Sequence, residues 1–97
     1  MIGIVLAFAL LQPSPDALSE QALGMAAAGR LQEAEALWRS AVELAPAHFP
    51  SLFNLGYLSF QQRLDAQAVE WLRRASRANP NDFNCHYLLG SVFSRQG

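Results

Sequence analysis

With 97 residues the chain has room for one modest domain core, and with just over half of them apolar and 15% charged it is not an intrinsically disordered tail. A net charge of −1 lacks the basic surplus that a nucleic-acid binder needs to neutralise phosphates. The single cysteine, Cys85, excludes an internal disulfide and a cysteine zinc cluster. All seven cations are arginines, a bias that accompanies GC-rich, bacterial coding sequence.

Residues Ile2 to Leu11 are an unbroken run of apolar and small residues, closed by Gln12-Pro13-Ser14-Pro15. Ten helical residues span roughly 15 Å, about half a bilayer core, so the run is too short for a transmembrane helix. Three readings stay open. The length suits the apolar part of a secretory signal peptide, although no cation precedes it and its one small-x-small pattern, Ala7-Phe8-Ala9, lies inside the run. The second reading is a segment packed on the first helical hairpin, or folded back to fill a binding groove, and the third is a weak anchor. An export signal places the protein outside the cytoplasm (periplasmic in a bacterium), whereas either alternative leaves it cytoplasmic.

Beyond this run the pattern is wholly helical, with no strand signals. Helices are predicted over 16–28, 31–45, 50–62, 66–78 and 83–95, separated by short turns. Leu52, Leu55, Gly56 and Ser59 follow the i, i+3, i+4, i+7 spacing of a core stripe, and so do His86, Leu89, Gly90 and Phe93. Pro46 and Pro80 stop the second and fourth helices. Asp82 is a good N-cap for the fifth. Glycine inside a helix costs about 1 kcal/mol against alanine, so Gly56 and Gly90 need an offsetting gain, and close approach of a second helix supplies one. Ala22 on the first helix, and Ala34 and Ala68 on the second and fourth, are the matching small residues.

Shifting the chain by 34 residues brings equivalent positions together. Leu18 falls on Leu52, Ala34 on Ala68, Arg39 on Arg73, Ala41 on Ala75 and Pro46 on Pro80. Phe49 falls on Phe83, Leu55 on Leu89 and Gly56 on Gly90. The chain therefore divides into an N-terminal segment and linker at 1–14, a first unit at 15–48, a second at 49–82, and the first helix of a third at 83–97. Asn54-Leu55-Gly56-Tyr57 and Leu88-Leu89-Gly90-Ser91 resemble the first-helix signature of the tetratricopeptide repeat family. Ala34, Trp38, Ala41 and Pro46 in one unit, and Ala68, Ala75 and Pro80 in the next, stand where that family has its second-helix residues and closing proline. Gln21, Arg63 and His86 depart from the pattern; at Arg63 the family usually has a turn glycine. The resemblance implies an all-α solenoid of antiparallel helix-turn-helix repeats in a right-handed superhelix. It also implies a protein–protein interaction module rather than an enzyme.

In proteins of this kind the first helices line a concave inner face. Phe53, Tyr57 and Phe60 form a second apolar stripe on the third helix, and Tyr87 is the matching position one unit on. With Ser19 and Leu23 from the first unit and Asn84 from the third, they are the expected peptide-binding groove. Plain packing between units is the competing explanation for the same aromatics. Some family members clamp acidic C-terminal tails with Lys, Arg and Asn; the matching positions here are Ser19, Leu23, Asn54, Asn84 and Leu88, which supply no cation. Arg73, Arg74 and Arg77, and on another helix Glu33, Glu35 and Glu43, read as solvated faces.

Nothing in the sequence forms a catalytic or metal constellation. Cys85 and His86 are adjacent and point about 100° apart on a helix, so they cannot act as a nucleophile–base pair. His48 has no carboxylate at a metal-site offset. Ser51 and Ser59 lack a nucleophile-elbow context. The expectation is a module that binds a protein or peptide segment without cofactor or metal, and without nucleic acid or a stable membrane span. Two alternatives remain: a structural adaptor that self-associates through its third-unit helix, and a regulatory or carrier repeat domain of a larger exported enzyme or assembly.

Overall fold

The computed structural model describes residues 13–96, and they form five helices with no strand among them: α1 (Pro15–Ala27), α2 (Leu31–Leu44), α3 (Phe49–Gln61), α4 (Asp65–Ala78) and α5 (Phe83–Gln96). Each boundary lies within one residue of the sequence expectation. The reasons are local. Ser14 caps α1 by accepting a hydrogen bond from the Ala17 N–H at 3.0 Å, and Pro15 opens the first turn. Asp82 caps α5 through the Cys85 N–H at 2.9 Å. Ala45 and Asn79, each followed by proline, adopt extended backbone that ends α2 and α4.

The tight turns inside the two hairpins are built alike. The Arg30 N–H reaches back to the Met25 carbonyl at 2.9 Å, and the Leu64 N–H to the Ser59 carbonyl at 2.9 Å. Both are the wrapped closure in which one residue takes positive φ. In the first hairpin that residue is Gly29 at 79°; in the second it is Arg63 at 61°, at the same repeat position. Arg63 thus occupies a glycine conformation with a side chain attached.

The helices stack in chain order. The α1–α2 and α3–α4 pairs form two antiparallel hairpins, while α2 packs on α3 and α4 on α5. A single cluster of buried side chains runs through all five, from Ala22 through Ala34, Trp38, Leu52, Leu55, Ala68 and Leu72 to Cys85 and Val92. Fully buried leucines such as Leu52, Leu55 and Leu72 each contribute about 1.5–3 kcal/mol by leaving water. At the α3–α4 crossing a Cβ on Gly56 would lie 2.6 Å from Leu72 Cδ2, so the glycine is required by the approach of α4. Ala22, Ala34, Ala41, Ala68 and Ala75 have no exposed surface, so a larger side chain at any of them would have to be accommodated inside the packed core.

The α5 stripe differs from the sequence expectation. Cys85, Leu88 and Val92 are its buried residues, whereas His86 and Gly90 are exposed, Leu89 is half-buried and Phe93 is 47% exposed. The expected stripe fits a helix with a following partner, as α3 has in α4. Among the described residues α5 meets only the helices before it, and a Cβ on Gly90 would meet nothing within 4 Å. His86, read as a packing residue, instead donates from Nε2 to the Pro80 carbonyl at 2.6 Å at the surface.

Polar ties also link the units, two of them joining three or more residues. Arg95 on α5 donates to the Phe60 carbonyl at the end of α3 at 2.8 Å, pairs with Asp65 at the start of α4, and lays its guanidinium 4.1 Å over the Phe60 ring. The cation meets the carbonyl end of one helix and the acid opens another, both favoured by the helix dipoles. In the other tie His48, between the units, donates from Nε2 to Asp16 Oδ1 at 2.6 Å, and its Nδ1 lies 2.8 Å from the Ser51 hydroxyl. The apolar run Ile2–Leu11, with its signal, packing and anchor readings, lies outside the described residues.

Candidate functional site

Successive first helices present their exposed aromatics on one side of the stack. Phe53 and Tyr57, one turn apart on α3, stack with centroids 6.4 Å apart; Phe49 stacks on Phe53 at 5.9 Å. On α5, Phe83 and Tyr87 repeat the arrangement at 6.1 Å. Between the helices lies a groove of about 410 Å³ lined by Phe53, Asn54, Tyr57, Asn84, Tyr87 and Leu88. Tyr57 is 43% exposed and Tyr87 63%, so both rings face solvent although they are among the larger side chains of the molecule. The lining has two carboxamides and two phenols and no charged group.

Of the residues expected in the groove, Phe53, Tyr57, Asn84 and Tyr87 come together. The others do not. Ser19 is 3% exposed, held under the surface of α1. Leu23 is exposed on α1 but outside the lining. Phe60 is half-buried beneath the Arg95 guanidinium, in use as a structural contact at the far end of α3. Asn54 and Leu88, read as clamp positions lacking a cation, both line the groove. The i, i+4, i+7 stripe overshoots at Phe60 because Arg95, 35 residues on, covers that ring.

The polar candidates have structural surroundings. Ser51 meets His48 and, through it, Asp16, which gives the three residue types of a hydrolytic triad. The Ser51 side chain has no exposed surface, so its hydroxyl cannot reach a substrate carbonyl, and the order of the ring nitrogens is reversed relative to that machinery. Cys85 is fully buried, its thiol donating to the Leu72 carbonyl at 3.1 Å. Burial, and next the Asp82 carboxylate, push that thiol above its ordinary range, the opposite of an activated nucleophile. Among the described residues no group of three or more His, Cys, Asp or Glu side chains is placed to hold a metal ion, and no helix is long and apolar enough to cross a membrane.

On the opposite, outer face Arg39 and Arg74 lie 5.3 and 5.1 Å over the Trp71 ring, and Arg74 also donates to the Pro46 carbonyl at 3.3 Å. Arg73 stands 5.8 Å over Phe93. The arginine cluster expected as a solvated face is thus partly tied down on aromatic rings. Of the three acids on α2, Glu33 pairs with Arg30 at 2.8 Å and Glu35 lies 3.9 Å from Arg39.

A search of characterised proteins gives no match to the chain. The tetratricopeptide repeat family model matches residues 25–92, more than two thirds of the sequence. Repeats of this family are generally protein–protein interaction modules and typically not enzymes. With the five helices of the described residues in two antiparallel hairpins and a further first helix, closing prolines at matched positions and the match over residues 25–92, the chain belongs to the tetratricopeptide repeat family.

Proposed function

We propose that the groove between α3 and α5 binds an extended, uncharged segment of a partner protein, with no cofactor and no reaction. The observation that carries this reading is the exposure of Tyr57 and Tyr87 on the same groove, each stacked on a second aromatic ring. Such rings bury a large area at a low cost in side-chain freedom, which makes them good anchors for a bound segment. The Asn54 and Asn84 carboxamides can exchange hydrogen bonds with a peptide backbone. With no cation in the lining, an acidic tail has nothing to pair with, and apolar or aromatic side chains are the better complement. Phe53, Tyr57, Asn84 and Tyr87 are the contact residues of this proposal.

The test is capture of partners from the native organism by the wild-type chain and by Phe53→Ser/Tyr57→Ser/Tyr87→Ser, after the variant's fold is verified by circular dichroism. The proposal expects a protein recovered by wild type and lost with the folded variant. Equal recovery by both overturns it.

A further inference from the structure

The outer side of the stack carries cations that neither the fold nor the groove uses up. Among the described residues Arg30, Arg39 and Arg95 pair with carboxylates, whereas Arg63, Arg73, Arg74 and Arg77 do not. Three of these four lie on α4. The repeat does not demand arginine at the two that face the first unit. One repeat back, Arg74 and Arg77 fall on Ser40 and Glu43, which hold the same positions of α2. A fold that accepts a serine and an acid there has no structural need of two cations.

Arg74 and Arg77 lie about one turn apart on α4 and meet the connection between α2 and α3. With Pro46, Ala47 and Ala78 they line a crevice of about 300 Å³ that contains two guanidinium groups and no acid. A hollow of about 360 Å³ along α4 continues it, where Arg73, Arg74 and Arg77 outnumber Glu70. Arg74 is held in position: its guanidinium lies 5.1 Å over the Trp71 ring and donates to the Pro46 carbonyl at 3.3 Å. Arg39 lies 5.3 Å over the same ring. A guanidinium has five N–H donors in a planar fork, so Arg74 keeps most of its donors for an incoming oxyanion. Stacking on Trp71 also restrains the side chain beforehand, which reduces the ordering cost of binding. Arg77 is exposed near the end of α4 and makes no side-chain hydrogen bond or ion pair among the described residues.

We propose that this crevice takes the carboxylates of an acidic, extended segment of a second partner protein, with Arg74 and Arg77 as its ligands and Arg39 beside them. Carboxylates match the fork geometry, since each can accept two parallel bonds from one guanidinium. Charge selects a peptide over larger polyanions. The neighbouring outer helix α2 carries Glu33, Glu35 and Glu43, and the chain as a whole has a net charge of −1. A nucleic-acid duplex or an anionic bilayer would lie across those acids as well, whereas a single peptide strand reaches the arginines without them. The α3–α5 groove is on the opposite face and has no charged group in its lining, so the two surfaces hold different segments.

Fluorescence anisotropy with the full chain tests this, using a labelled peptide of alternating Glu and Ser and the corresponding Gln and Ser peptide. The wild type should bind the Glu peptide, more weakly as salt rises, and not the Gln peptide. Arg74→Gln/Arg77→Gln should bind it at least about tenfold more weakly. Arg77→Gln alone breaks no side-chain bond within the fold, so its melting should match wild type while its affinity falls. Arg30→Gln/Arg63→Gln removes the same charge elsewhere on the surface and should bind like wild type, as should the folded Phe53→Ser/Tyr57→Ser/Tyr87→Ser groove variant. A wild type that does not bind the Glu peptide overturns the inference. So does equal weakening by the two arginine double variants, loss of binding with the groove variant, or tighter binding of a DNA duplex or phosphatidylserine vesicles than of the peptide.

Discussion

Replacing Gly56 and Gly90 separately by alanine measures how closely α4 approaches α3. Both glycines lie inside a helix at the same repeat position, so both substitutions gain about 1 kcal/mol of helix propensity. At Gly90 nothing opposes the gain, because the new Cβ has no neighbour within 4 Å. At Gly56 it would sit 2.6 Å from Leu72 Cδ2 and 2.7 Å from Cγ, with the Leu72 backbone nitrogen behind at 3.4 Å. Ordinary carbon contacts are about 3.5–4.0 Å, so Leu72, which has no exposed surface, must move by roughly an ångström. Overpacking on this scale costs about 1–3 kcal/mol. The propensity terms cancel between the variants, and the difference in their stabilities is the overpacking alone. Urea unfolding followed by circular dichroism should place Gly90→Ala above wild type and Gly56→Ala about 1–3 kcal/mol below Gly90→Ala. Equal midpoints for the two would refute the close crossing. Gly56→Leu, which adds three further carbons at the same spot, should lose several kcal/mol, on the order of the largest core effects.

The hairpin turns give a mirrored pair: Arg63→Gly should stabilise by up to about 1 kcal/mol, since glycine removes the left-handed penalty, and Gly29→Ala should lose about 1 kcal/mol. Thermal melts of the two variants moving in the same direction would contradict the shared turn. Arg95→Met should cost about 1–3 kcal/mol through the lost charged hydrogen bonds to Asp65 and Phe60, read by urea unfolding. Ser51→Ala and His48→Ala should each destabilise, and the double variant should cost less than their sum, because both remove the same Ser51–His48 hydrogen bond; additive losses would sink this coupling. Cys85 titrates high because it is buried, so the folded chain keeps a proton that the unfolded chain loses above about pH 8.5. Stability is therefore unaffected by this group below that pH and falls as pH rises above it, and Cys85→Ala should flatten the alkaline slope.

The helices and their pairing were legible because each boundary has a local cause: a capping serine or aspartate, a proline after the turn, an alanine or glycine at a crossing. What periodicity could not supply was which side of a helix has a partner. Leu89, Gly90 and Phe93 carry the spacing of a core stripe, yet a stripe is buried only when a helix lies against it, and α5 uses Cys85, Leu88 and Val92 instead. The groove was legible in Phe53, Tyr57 and Tyr87, since their spacing departs from the core stripe. Ser19 failed as a groove residue because a small side chain on a stacked helix sinks below its neighbours. The His48–Asp16 and Arg95–Asp65 ties join residues 32 and 30 apart, close to one repeat length. Both pairs set an acid against a histidine or arginine at about one repeat length, a separation that helical spacings of three or four residues do not reach.

Site-specific photocrosslinking in living cells tests the proposed role of the α3–α5 groove as the partner-binding surface. A benzophenone side chain replaces Tyr57 or Tyr87 in the groove, and in a parallel strain Arg77, exposed on the outer helix. Positions 57 and 87 should yield one and the same crosslinked protein, and position 77 none of it. Crosslinks to that protein from position 77 alone, or from all three positions alike, would contradict it.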